Sequence, residues 1–215
     1  MRFSFSMIEG FPAGALPATL ANVSPVPDSW ALVSSHGRLQ ANLNPSKPPR
    51  LSAVALLFLP PQVVGAPADV VLIRRGAHYG SHRGQMAMAG GRAEPGDVGP
   101  TDTLIRELQE ELGIPGEVLQ VHGQLPVRRA IDGTDVMPCV VTARWSPWDI
   151  KAAPDEVASV CLAPWTCLTN AKRSTFAFTM FGVQRESNLY RVDGATVWGL
   201  TASIINAADM LPPEM

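Results

Sequence analysis

Apolar positions divide this chain into segments of two periods. From Ser52 to Leu59 they run almost without a break for the length of a strand, and Asp69–Ile73 does the same after a loop bearing proline and glycine. Both predict strands buried on both faces. Val118–Leu125 and Val136–Arg144 predict two more, with shorter candidates at Ser159–Leu162 and Phe176–Phe181. Helical spacing appears at Thr101–Leu112, where Leu104, Ile105, Leu108 and Leu112 share a stripe at about 100° per residue. Gly113 then suits the left-handed position past a helix end, Ile114 the accompanying apolar contact, and Pro115 forbids continuation. A last helix is predicted at Trp198–Asp209 and a short one around Trp30–Leu39, while Arg74–Gly99 is expected as a loop rich in Gly, His and Arg.

Residues 1–50 are rich in Pro, Ala and Ser and end in Asn44-Pro45-Ser46-Lys47-Pro48-Pro49-Arg50, a stretch that cannot continue a helix or a central strand. The division expected is an N-terminal extension, 1–50, packed on a domain at 51–215. Strands interleaved with a few helices, without strict alternation, predict a mixed α/β domain. Its 215 residues are ample for a buried core, and with 46% apolar and 17% charged residues no apolar run is long enough to cross a bilayer. A net charge of -2 supplies no basic field for a long nucleic acid, yet a local pocket can still take a small anion. Cys139, Cys161 and Cys167 show no CxxC or His-paired spacing, so free thiols and a reducing, cytoplasmic setting are expected. Arg2–Phe11 is broken by Glu9, so no signal peptide is expected there, while organelle targeting stays open.

On the helix at Thr101–Leu112, Glu107, Glu110 and Glu111 fall together on a second stripe. Like charges three and four residues apart destabilise a helix, and a divalent cation would compensate them. Mg²⁺ or Mn²⁺ takes hard oxygen ligands and keeps positions for water and phosphate oxygens. An ordinary solvated acidic face has the same spacing, so spacing alone does not choose between the two.

The flanking residues do choose. Gly91-Arg-Ala-Glu-Pro-Gly-Asp97, eight further residues, then Arg106-Glu107-Leu108-Gln109-Glu110-Glu111-Leu112-Gly113-Ile114 resembles the Nudix box, G-x5-E-x7-R-E-U-x-E-E-x-G-U with U aliphatic. Its second half matches at every fixed position. In the first half Asp97 stands for the usual Glu, with one extra residue before Arg106, as in the coenzyme A pyrophosphatase-like members of the family. Val71-Leu72-Ile73-Arg74-Arg75 and His82-Arg83-Gly84-Gln85-Met86-Ala87-Met88-Ala89-Gly90-Gly91 resemble the segment which that subfamily places upstream, and Pro154-Asp155-Glu156-Val157 and Val197-Trp198-Gly199-Leu200-Thr201-Ala202 resemble its downstream segments. Gly80, Ile73 and Met88-Ala89 depart from it, standing where the subfamily has Arg, Thr and Phe-Pro.

The resemblance, which covers Ser52 to the C-terminus, implies a Nudix-type α/β/α sandwich around a mixed sheet. It implies a metal-dependent pyrophosphohydrolase for a small nucleotide substrate, with Mg²⁺ or Mn²⁺ held by Glu107, Glu110, Glu111 and the Gly91 carbonyl. Arg106 would pair with Asp97 or Glu94 to hold the helix, Glu156 would bring in a base from a distal loop, and Arg75, His82, Arg83 and Gly84 would contact substrate. His78 and Arg74 add nearby cations, and Trp198 is expected in the core. The substrate implied is coenzyme A or acyl-CoA, cut to phosphopantetheine and adenosine 3',5'-bisphosphate. Gly80 favours NDP-sugars or dinucleotides as the alternative. A nucleotide sensor without activity is a third reading, against which the intact glutamate set speaks. Homodimerisation, common in the family, is a further expectation.

Overall fold

The computed structural model describes residues 17, 20, 23–30, 50–61, 66–76, 82–169, 174–180, 182–192 and 194–211. The helix expected around Trp30–Leu39 lies outside them except for Trp30, as do His78 and Gly80. In chain order the strands are β1 (Leu51–Leu59), β2 (Asp69–Arg75), β3 (Met86–Ala87), β4 (Gly90–Arg92), β5 (Leu119–Gln124), β6 (Arg128–Arg129), β7 (Asp135–Ala143), β8 (Val157–Pro164), β9 (Ser174–Met180), β10 (Val183–Val192) and β11 (Ala195–Val197). The α-helices are α1 (Pro100–Leu112), α2 (Trp165–Thr169) and α3 (Gly199–Asp209).

The first eight strands form one mixed sheet. β1 lies at its centre, parallel to β7 along one edge. Its other edge is divided: β4 pairs with the first half, Ser52 opposite Arg92 through Val54 opposite Gly90, and β2 with the last two residues. β8 covers the far side of β2, and β5 and β6 that of β7. Alternate residues of β1 enter opposite cores. Ala53, Ala55, Leu57 and Leu59 meet Leu104, Leu108 and Leu112 of α1, whereas Val54, Leu56 and Phe58 meet Trp165 of α2 and Ile204, Ile205 and Ala208 of α3. Helices on both faces explain why β1 and β2 are apolar without alternation. The architecture is the α/β/α sandwich expected, with a separate antiparallel sheet in the order β11-β10-β9 beside it.

The ends of α1 follow from local chemistry. Pro100 occupies its first turn, the Asp102 carboxylate accepts from the Gly99 N–H at 3.2 Å, and Gly113 closes the helix at φ 67° with its N–H on the Gln109 carbonyl at 3.0 Å. Leu104, Leu108 and Leu112 are fully buried, each worth about 1.5–3 kcal/mol against exposure. Ile105, expected on the same stripe, is 36% exposed and sits at its edge. No helix among the described residues is long and apolar enough to cross a membrane.

Candidate active site

Two adjacent glycines bring α1 down onto the sheet. Gly90 holds φ +133°, and a Cβ there would collide with the Ala53 carbonyl oxygen. A Cβ at Gly91 would instead occupy the place of the Glu107 carboxylate. With both absent, the acidic stripe lies inward: Glu111 is fully buried, and its Oε2 accepts the Gly90 N–H at 2.8 Å. Glu107 is 9% exposed, while Glu110 stays on the surface. The stripe is therefore no solvated face, because two of its three carboxylates are packed against β4.

Arg106 gathers the charges around this point. Its guanidinium donates to Asp97 Oδ2 at 3.0 Å and Oδ1 at 3.3 Å, to Glu107 at 3.1 Å, to Glu110 at 2.9 Å and to the Arg92 carbonyl at 2.8 Å, with Glu94 at 3.8 Å. Asp97 is itself anchored by the Thr103 hydroxyl at 2.8 Å and the Glu94 N–H at 2.9 Å. Burial pushes the Asp97 carboxyl up, but the hydrogen bonds from Arg106, Glu94 and Thr103 outweigh it and leave its pKa below the ordinary value. Glu107 goes the other way. Burial raises its pKa and the neighbouring charges of Glu110 and Glu156 add to that, against the opposing pull of Arg106. Arg106 is held protonated above its ordinary range, chiefly by its hydrogen bond to Asp97. Of the two partners expected for Arg106, Asp97 makes the fork and Glu94 a longer ion pair.

Glu156 arrives on the turn before β8. The Gly76 N–H donates to its carbonyl at 2.6 Å, which docks this turn on the end of β2, and its charge is felt at Glu107. Arg75, His82, Arg83 and Gly84 lie together at the β2–β3 connection. The Gly84 N–H donates to the Arg75 carbonyl at 2.9 Å, the Arg75 N–H to the Gln85 carbonyl at 3.0 Å, and His82 Nδ1 lies 3.2 Å from Gln85 Oε1. Arg74 caps the same turn on the Gly84 carbonyl at 3.2 Å. Glu107, Glu110, Glu111, Arg106 and Gly91 thus form one centre with Glu156 beside it. The cationic turn joins them through Gly76.

The donors offered are all oxygens, which suits a hard divalent ion, and Gly91 leaves a cradle at Glu107 that any side chain would fill. Among the described residues no three acidic, His or Cys side chains already stand as a ligand set. Arg106 lies across Glu107 and Glu110, so an ion would take these carboxylates over from the guanidinium.

Trp198 is half-buried rather than in the core, set edge-on to Phe176 and Phe178 with ring centroids at 6.0 and 6.5 Å. A cluster at the open end of β1 escaped the sequence analysis entirely. Arg92 and Arg50 meet Asp132 at 3.2 and 3.9 Å, and Arg129 grips Asp135 with two bonds of 2.8 Å. The paired arginines at 128–129 with acids three to seven residues on were the available signal.

Residues 32–182 match the family model described as NUDIX domain, well over half of the chain. A fold of this architecture with this glutamate helix defines a class of pyrophosphate-cleaving hydrolases, and the chain belongs to the Nudix family. It is 32% identical over 192 residues to "Uncharacterized Nudix hydrolase NudL" of Pectobacterium atrosepticum, covering 84% of this chain and 94% of that protein. A protein of the same name from Photorhabdus laumondii is 33% identical over 174 residues, covering 79% and 91%. Among solved structures, a MutT/nudix family protein from Enterococcus faecalis is 20% identical with a TM-score of 0.46, covering 83% of this chain and 68% of that one. The NUDIX domain of Shewanella oneidensis NrtR, complexed with ADP ribose, is 22% identical with a TM-score of 0.42, covering 60% and 83%. The chain is thus a Nudix hydrolase acting on pyrophosphate bonds of nucleotide derivatives, in a family that generally uses divalent metal ions.

Proposed function

We propose that this enzyme hydrolyses coenzyme A or acyl-CoA at its pyrophosphate, giving phosphopantetheine and adenosine 3',5'-bisphosphate. The observation that carries this reading is Asp97. One residue beyond the common Nudix spacing, as in the coenzyme A pyrophosphatase-like proteins, it still reaches Arg106 with both oxygens. The segments at 71–91 and 197–202 that resemble the same subfamily support it. Glu107, Glu110, Glu111 and the Gly91 carbonyl would hold Mg²⁺ or Mn²⁺, which when bound supplies a Lewis acid against the pyrophosphate oxygens. Arg106 keeps α1 seated on the loop at Asp97 while it yields Glu107 and Glu110. Glu156 takes the proton of the attacking water as the new P–O bond forms, and the bridging P–O bond breaks with its electrons leaving on the departing phosphate. Arg75, His82, Arg83 and the Gly84 backbone would steer the anionic substrate from the β2–β3 turn.

Residues 1–50 would act as an extension packed on the catalytic domain at 51–215, and the working unit would be a cytoplasmic homodimer. Gly80, where the subfamily has Arg, favours NDP-sugars or dinucleotides as a second reading. Turnover of coenzyme A, ADP-ribose and NADH at equal Mg²⁺ with identification of products tests the choice. Coenzyme A as the best of the three, with the two named products, is expected; clear preference for ADP-ribose or NADH overturns the proposal.

A further inference from the structure

The arginine cluster at the end of β1 carries more positive charge than its partners neutralise. Arg92 faces Ser52 across the β4–β1 pair, Ser52 faces Val136 across β1–β7, and Val136 faces Arg128 across β7–β6. These four positions form one row on the face of the sheet opposite α1, spanning about 14 Å at the usual strand spacing. Arg50, two residues before Ser52, belongs to the same face. Asp132 is shared by Arg92 and Arg50, and Asp135 is taken by Arg129. The Arg128 side chain makes no hydrogen bond or ion pair with any described residue, although its Nε is buried. A guanidinium nitrogen withdrawn from water without a partner costs about 1–3 kcal/mol or more, a cost that an anion bound at this side chain would offset.

We propose that Arg128, on the same face of the sheet as Arg92 and Arg50, forms a subsite for a phosphate monoester of the substrate that lies outside the scissile pyrophosphate. Arg50, Arg92 and Arg128 stand on this face against Asp132, the Arg129–Asp135 pair being neutral, and a phosphate monoester carries roughly -1.5 to -2 charges at neutral pH, which closes that imbalance. Arg presents a planar fork that matches phosphate oxygens. The subsite is joined to the catalytic centre, because Arg92 directly follows Gly91 and its carbonyl holds Arg106 at 2.8 Å. This inference rests on the proposed function in that coenzyme A bears such a group on its ribose; it names Arg128 as the residue that selects for it.

The test compares coenzyme A with its 3'-dephospho form as substrates, and adenosine 3',5'-bisphosphate with AMP as calorimetric ligands, in the full chain and in Arg128→Ala. The wild type is expected to prefer the phosphorylated member of each pair by about tenfold or more, a preference lost in the variant. Arg128→Gln keeps the side chain's length without its charge and serves if the alanine variant does not fold. A wild-type preference in either folded variant, or no preference in the wild type, overturns the subsite. If neither form of coenzyme A is cleaved while the Arg128-dependent preference for the bisphosphate persists, the substrate reading falls and the subsite stands. If coenzyme A is cleaved with the same preference in wild type and variant, the subsite falls and the substrate reading stands.

Discussion

Two arginine–carboxylate networks flank β4, with opposite charge balance. On the middle of α1 a single guanidinium, Arg106, serves Glu94, Asp97, Glu107 and Glu110. At the end of β1, Arg50, Arg92 and Arg129 share Asp132 and Asp135, and Arg128 adds a charge with no described partner. Like charges gathered without partners repel, and burying one is costly. On the proposed function and the proposed subsite, this imbalance would be met by a cation among the glutamates and an anion among the arginines. Both would be supplied by a metal-bound nucleotide that spans the two.

The sharpest break in this comparison is Glu111→Gln. The amide oxygen can still accept the Gly90 N–H, so the fold should persist, while kcat/KM falls by about a thousandfold or more as the charge on the cation side is lost; steady-state kinetics at saturating Mg²⁺ checks it. Gly90→Ala follows, because it forces a left-handed φ and a backbone collision at Ala53. It should cost about 3 kcal/mol in urea unfolding. Gly91→Ala meets the Glu107 carboxylate first, a side chain rather than backbone, and should lose about 1 kcal/mol, with most of its effect on activity. Arg106→Ala leaves the carboxylates without their shared partner and should cost about 2 kcal/mol.

The smallest effect is in pH dependence, where two carboxylates of one network act with opposite sign. The Asp97 pKa lies below its ordinary 3.8, so its stabilisation is present above that value and is lost as pH falls through the folded pKa. That of Glu107 lies above its ordinary 4.5. Ionising it therefore costs stability as pH rises from there through the folded pKa. In metal-free protein Asp97→Asn should lower stability at neutral pH and flatten the acid limb, whereas Glu107→Gln should raise it. Urea midpoints from pH 3 to 8 that move the same way for both variants would contradict this assignment.

Long elements were legible because burial decides them. β1, β2, β5, β7, α1 and α3 fall within two residues of the segments read from periodicity. β3 and β4, two and three residues long, hide in the stretch expected as loop, since no period can be read over so few positions. β10, with Gln184, Arg185 and Glu186 exposed, gives no alternation because little packs against it. In the site, the Nudix box marked Glu107, Glu110, Glu111 and Arg106. Local spacing could not reveal that Glu107 and Glu111 are buried, which depends on the missing Cβ atoms of Gly90 and Gly91. Nor could it show the docking of the Glu156 turn on Gly76, a contact between segments eighty residues apart. Arg128 became conspicuous only once β6, β7, β1 and β4 lay side by side.

The direct test is a calorimetric titration of Mn²⁺ into the full chain and into Glu111→Gln. The account predicts binding by the wild type and at least about tenfold weaker binding by the variant. Equal affinity in the two would contradict it, because the carboxylates beneath Gly90 and Gly91 would then not be where the cation sits.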